Sequence, residues 1–165
     1  MRLLLVRHAM PAADPGVPPQ RWRLSAAGVE AAARLRLPPH AHLVASDEPK
    51  AAETVRLAAG VTHVVGDADF AEVRRQEPWD DGYRERRRAY VSGSDHAGWE
   101  PRASVAARFD RAVARHAWPD RPLVVGTHGM AMTCWLASRG LLDGPAGDFW
   151  QALAFPDLVD VEWAP

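Results

Sequence analysis

The chain is short of cysteine, of lysine and of net charge. Cys134 is the only cysteine, so no internal disulfide can form. It lies in the apolar stretch MTCWLA and reads as a buried, inert thiol. No apolar run is long enough to span a bilayer, and none has the pattern of a signal peptide. The expectation is a soluble, cytoplasmic protein with no membrane partner. A formal net charge of -1 gives no general basic field for nucleic acid. The Arg-rich piece RERRR, Arg84 to Arg88, is a local exception and reads as a solvated helix face. Of the 20 basic residues, Lys50 alone is lysine and the rest are arginine. The bias towards arginine, alanine and proline fits a GC-rich coding sequence and makes that lysine conspicuous. Repeats, low-complexity segments and linkers are also missing, so residues 1–165 read as one domain.

What is present is an apolar content of 47%, enough for a core. Arg2 to Val6, Ala41 to Ser46, Val61 to Val65, Pro122 to Gly129 and Leu158 to Trp163 read as strands. Helices are expected after Ser25, a natural N-cap, with Val29, Ala32, Ala33 and Leu37 on one face. Others are expected over 48–59 (stopped by Gly60), 81–91, 102–117 and 130–139. The alternation implies an α/β fold: a three-layer sandwich with a mainly parallel central sheet and helices on both faces. Residues 69–98, polar and Trp-bearing, read as an insertion over the active site, bracketed by Trp79 and Trp99.

Ligands of such sheets bind beyond the carboxyl ends of the strands. Three strand ends carry polar pieces: RHA after the first, SDE after the second and THG after the Pro122 strand. If His8 and His128 meet there beside Arg7, they form a cationic pocket suited to a phosphoryl group. Neutral imidazole is a competent nucleophile, and the phosphoramidate it forms is open to water. Neighbouring cations would keep His8 unprotonated, while a bound phosphate would favour protonated His128. HAH, at His40 and His42, lacks the further ligands that a metal site needs, so no metal and no cofactor is expected.

LLLVRHAM together with VVGTHGMAM resembles the histidine phosphatase, or phosphoglycerate-mutase-like, superfamily, whose motifs are Arg-His-Gly after strand one and a later His-Gly. The intervening pieces agree in order. RLSAAGVEAA matches at Leu24, Ser25, Gly28 and Ala31; ASDEPKAAETV matches at Ser46, Ala51 and Thr54; DFAEVRR places Glu72 where the family has an acid. The resemblance implies a phosphatase that hydrolyses a small phosphomonoester through phosphohistidine at His8, independent of metal, of the histidine acid phosphatase type. Arg7 and His128 would grip the phosphoryl oxygens, with Lys50, Gly129, Arg74 and Arg75 binding substrate. Glu72 would protonate the leaving oxygen and then deprotonate water, which calls for a pKa raised by partial burial. Glu77 and Asp80 are its rivals in the same segment.

The chain departs from the family at four places. Ala9 replaces the glycine after the nucleophile; Met10-Pro11 replaces Glu-Thr, with loss of a backbone N–H and a hydroxyl. Asp14 stands where the family has asparagine, and Lys50 stands for an arginine, which keeps the charge but loses the fork. These departures motivate an alternative, a catalytically weak phosphate-binding regulatory module. A phosphoglycerate-mutase-type phosphotransferase is another; it would need further grips, for which Arg74, Arg75 and Arg84 to Arg88 are available. The partner in each case is a small phosphorylated metabolite.

Overall fold

The computed structural model describes residues 1–164. Five strands form one sheet: β1 (Arg2–Arg7), β2 (His42–Ala45), β3 (Val65–Gly66), β4 (Leu123–Thr127) and β5 (Asp157–Glu162), in the order β3-β2-β4-β1-β5. The first four run parallel and β5 is antiparallel to β1. Six α-helices surround the sheet: α1 (Ala26–Arg34), α2 (Pro49–Ala59), α3 (Tyr83–Val91), α4 (Arg102–His116), α5 (Gly129–Ser138) and α6 (Ala146–Ala152). No helix among the described residues is long and apolar enough to cross a membrane.

A strand shows alternate side chains to opposite faces, so a strand covered on both faces must be apolar throughout. Leu3 and Leu5 of β1 join Leu123 and Val125 of β4 in one core with Phe109 and Trp135, whereas Leu4, Val6 and Val124 face the other way onto Val55. Truncation of Leu5, wholly buried, is expected to cost about 2–5 kcal/mol in Leu5→Ala, read from urea unfolding. A loss below about 1 kcal/mol would place it outside a tight core. Gly126 explains how close α2 lies to the sheet: a Cβ there would meet Val55 Cγ2 at 2.6 Å and Ala51 O at 3.0 Å. Cys134 is buried, and burial pushes its thiol up to about 12, in accord with an unreactive group.

The structure differs from the sequence reading at several elements. β3 is only Val65–Gly66, because the chain uses the preceding residues to leave α2: Gly60 takes φ 66° and Val61 N–H bonds Arg56 O. Of the expected face of α1, Ala32 is buried but Val29 and Ala33 are exposed, and Gly28 is buried in their place. Gly28 sits so close to Met10 O that a Cβ would lie 2.2 Å from it, which fixes the face α1 presents. The N-cap at Ser25 is present, its side chain accepting from Gly28 N–H. Helix α6 has no counterpart in the sequence pattern: it is seven residues long, follows Pro145, and buries only Gly147 and Trp150.

Candidate functional site

The carboxyl ends of β1, β4 and β2 lie side by side, which brings the pieces after them together. Backbone bonds continue the ladder beyond the strands: His8 N–H donates to Thr127 O at 3.0 Å and Ser46 N–H to Gly126 O at 2.8 Å. The two imidazoles therefore meet, with ring centroids 5.2 Å apart and planes inclined at 61°.

His8 Nδ1 lies 2.8 Å from Ala9 O. A carbonyl only accepts, so this contact holds the proton on Nδ1 and leaves the Nε2 lone pair free as a nucleophile. Ala9 N–H is fixed in turn by Thr54 Oγ1, which donates to Lys50 O. Burial first, then His128, set the His8 pKa well below the imidazole range; Ala9 O opposes them, and Lys50 and Arg7 add smaller lowering effects. The ring is neutral at pH 7, and burial, more than the neighbouring cations, is the main cause.

Arg7 is buried, with Nη1 donating to Leu153 O at 2.6 Å and the guanidinium 3.5 Å from the Phe155 ring centroid. Burial lowers it to about 10, so it stays charged. Gly129 leaves room for it: a Cβ there would stand 3.1 Å from Arg7 Nε. His128 is wholly buried, its Nε2 3.0 Å from Ser46 Oγ and 3.5 Å from Glu48 Oε1. Burial, aided by Lys50, pulls it down to about 3. Arg7 Nε and His128 Nδ1 are both buried without a hydrogen-bond partner among the described residues. Such groups cost about 1–3 kcal/mol each when left unmade, so an anion that accepts from Arg7 Nε would be favoured there.

Glu72 lies at the N-terminus of α5, where Oε1 accepts from Ala131 N–H at 2.9 Å and Oε2 from Met130 N–H at 3.3 Å. Burial alone would raise its pKa; His128, Arg75 and the Val73 N–H outweigh burial and hold it at about 2. This corrects the expectation of a raised value: the positive groups around the carboxyl and the Val73 N–H favour the carboxylate over the burial that would neutralise it. The loop that carries Glu72 is tied down by buried Arg108, which donates to the carbonyls of Asp69, Ala71 and Glu72 and pairs with Glu100.

Lys50 is in the site but is not free. Its Nζ lies 2.5 Å from Glu48 Oε2 and donates to Pro19 O at 2.7 Å. Arg75 is engaged with Glu77 and Val73 O; Glu77 also holds Arg87, Arg86 pairs with Asp80, and Arg88 with Asp148. Arg84 has no ion pair among the described residues. Arg74, exposed, lines a cleft of about 260 Å³ with Gln20, Asp47, Glu48 and Glu72. Glu77 and Asp80, the rivals of Glu72, are thus occupied by arginines. Asp14 is exposed and caps Gly16 N–H within its own loop, and Pro11 bridges to Leu24. Trp79 is exposed, edge-on to Trp22, whereas Trp99 packs on Tyr90 and His96.

Sequence reasoning did not assign Glu48, Arg108, the Leu153 carbonyl or Phe155. Only Glu48 left a trace, as an acid between a strand end and the conspicuous lysine.

His8, His128 and Glu72 titrate in one direction. Each has a folded pKa below its unfolded value, so the unfolded chain binds more protons and stability falls as pH falls. For His128 the window runs from about 6.5 down to about 3, and for Glu72 from about 4.5 to about 2. Urea unfolding is expected to give a plateau above about pH 7 and a decline below about pH 6 that reaches about 1.4 kcal/mol per pH unit for each titrating group. Equal stability at pH 7.5 and pH 5 would contradict neutral, buried imidazoles.

No family model and no curated protein sequence matches the chain. Solved structures do. A mycobacterial glucosyl-3-phosphoglycerate phosphatase in complex with inorganic phosphate superposes with a TM-score of 0.69 at 24% identity, over 98% of this chain and 89% of the other. The protein of open reading frame Rv3214 from Mycobacterium tuberculosis gives a TM-score of 0.69 at 20% identity, over 99% and 91%. TTHB049 from Thermus thermophilus gives 0.66 at 24%, over 99% and 94%. These likenesses show the fold: the chain has a phosphoglycerate-mutase-like α/β fold.

Proposed function

We propose that this protein is a phosphatase that hydrolyses a small phosphomonoester by way of a phosphohistidine on His8. The observation that carries the reading is the pairing of His8, its Nδ1 proton fixed by Ala9 O, with His128 and Arg7 in one buried cluster at the strand ends. His8 Nε2 attacks phosphorus and the ester P–O bond breaks; Arg7 and His128 neutralise the phosphoryl oxygens as charge builds on them. Glu72, a carboxylate in the free enzyme, takes up a proton as the substrate binds and hands it to the leaving oxygen. Water then attacks the phosphohistidine, the P–N bond breaks, and Glu72 accepts the proton from water. Nothing in the sequence needs a metal for these steps.

The arginines that a mutase would use to hold a second anionic group are mostly engaged with Glu77, Asp80 and Asp148, which favours hydrolysis over transfer. A phosphate-binding module with little catalysis is the second reading, and the Lys50–Glu48 pair is the observation that favours it. Steady-state phosphate release from a panel of phosphomonoesters separates the two. Turnover of at least one ester supports the phosphatase; phosphate binding with no turnover across the panel supports the module.

A further inference from the structure

We propose that Glu48 is a specificity-determining residue of the phosphoryl site: by holding Lys50 in an internal ion pair it leaves the pocket without net charge, so that the pocket takes the monoanion of a phosphoryl group in preference to the dianion. The inference rests on the phosphatase reading of the same site and adds to it the ionisation state of the substrate.

Glu48 is 6% exposed and reaches three elements. Its Oε2 is on Lys50 of α2, its Oε1 accepts from Glu72 N–H at 3.0 Å, and the same oxygen lies 3.5 Å from His128 Nε2 at the start of α5. Its own N–H donates to Ser46 Oγ at 3.2 Å. The carboxylate is therefore built into the pocket from both ends. Two cations, Arg7 and Lys50, face two carboxylates, Glu48 and Glu72, around two neutral imidazoles. Asp47 and Arg74, which line the neighbouring cleft with Glu48 and Glu72, add one charge of each sign. Farther out, Arg75 and Arg87 share the single carboxylate of Glu77, Arg108 is paired with Glu100, and Asp157 and Arg84 add one charge of each sign near Arg7, so the one positive charge left over lies outside the pocket.

A dianion entering such a pocket must bring a proton with it or draw one onto His128, at the cost of charging a buried ring. The monoanion needs neither. It also offers both acceptors and an O–H donor, whereas Arg7 Nε and His128 Nδ1 each lack a partner among the described residues. Its proton would also supply what Glu72 lacks: with the Val73, Met130 and Ala131 N–H groups on its oxygens and His128 and Arg75 beside it, that carboxyl is ionised before substrate arrives. Entry as monoanion delivers the proton that the leaving oxygen must receive, and the balance of the hydrolysis is unchanged.

The test is calorimetric titration of the whole protein with inorganic phosphate, in two buffers of different ionisation enthalpy. At pH 8, where the dianion prevails, the wild type is expected to take up about one proton per phosphate bound, and at pH 5 close to none. Glu48→Gln keeps an oxygen for Glu72 N–H and removes one negative charge. It is expected to bind phosphate about tenfold more tightly at pH 8, with proton uptake cut to less than half. Unchanged or weaker binding by a folded Glu48→Gln overturns the inference. Should that variant not fold, the wild-type proton count decides: no uptake at pH 8 overturns it. A wild type that binds no phosphate at either pH refutes the phosphatase reading itself, whereas a wild type that binds phosphate and a variant that does not tighten refute the role of Glu48 alone.

Discussion

His8→Ala is expected to lower the hydrolysis of any phosphomonoester the wild type accepts by at least about 10⁴-fold in kcat, which corresponds to about 5 kcal/mol of barrier. The size follows from what is lost. Alanine removes the only group in the pocket that is both neutral and fixed with a lone pair on the nitrogen opposite its Ala9 contact. His128 does not replace it, since its Nε2 is already within bonding distance of Ser46 and near Glu48. The pocket itself should survive: Arg7 is held by Leu153 O and Phe155, not by His8, so phosphate is expected to bind the variant with affinity within about tenfold of wild type. Equal kcat in wild type and His8→Ala would remove the nucleophile from the account.

Glu72→Gln should produce the second large effect, and its dependence on the leaving group identifies the role. A general acid matters when the departing oxygen is a poor leaving group. For an alkyl phosphate the expected loss in kcat is about 10²–10⁴-fold; for an activated aryl phosphate, whose leaving oxygen departs without help, the loss in the phosphorylation step should be about tenfold or less. Glutamine keeps one carbonyl oxygen for Met130 or Ala131 N–H, so the loop should stay in place, held also by Arg108. Single-turnover rates on the two ester types give the comparison. A uniform loss on both would assign Glu72 to positioning α5 and not to proton transfer.

The fold was largely legible because the central strands are buried on both faces. LLLV and LVVG can be little else than inner strands of a covered sheet, and the structure places them next to each other in register, Leu3 beside Leu123. The short pieces were not. Val65–Gly66 is too brief to carry a period, and α6 has neither a side-chain cap nor a wide apolar face. Val29 misled because helix periodicity reports a face only when side chains set it; on α1 the missing side chain of Gly28 sets it, by close contact with Met10 O. In the site, His8, Arg7 and His128 were legible from their place at strand ends. Glu72 was placed by resemblance, but its ionisation was not, because that depends first on His128, far along the chain, and then on Arg75 and the Val73 N–H being turned toward the carboxyl. The partnership of Lys50 with Glu48 lay within two residues in sequence, and still only the buried geometry shows the pair closed on itself. Arg7 finds its acceptor 146 residues away, at Leu153 O, a contact that no local pattern encodes.

In the proposed mechanism His8 carries the phosphoryl group between the two half-reactions. Rapid quench of the enzyme in alkali during turnover of a phosphomonoester, followed by peptide mass spectrometry, tests it most directly, since phosphohistidine survives alkali and is lost in acid. The account predicts one acid-labile phosphoryl group, on the peptide that contains His8, absent from His8→Ala. Turnover with no phosphorylated peptide under conditions that preserve phosphohistidine, or phosphate carried on another residue, would contradict it.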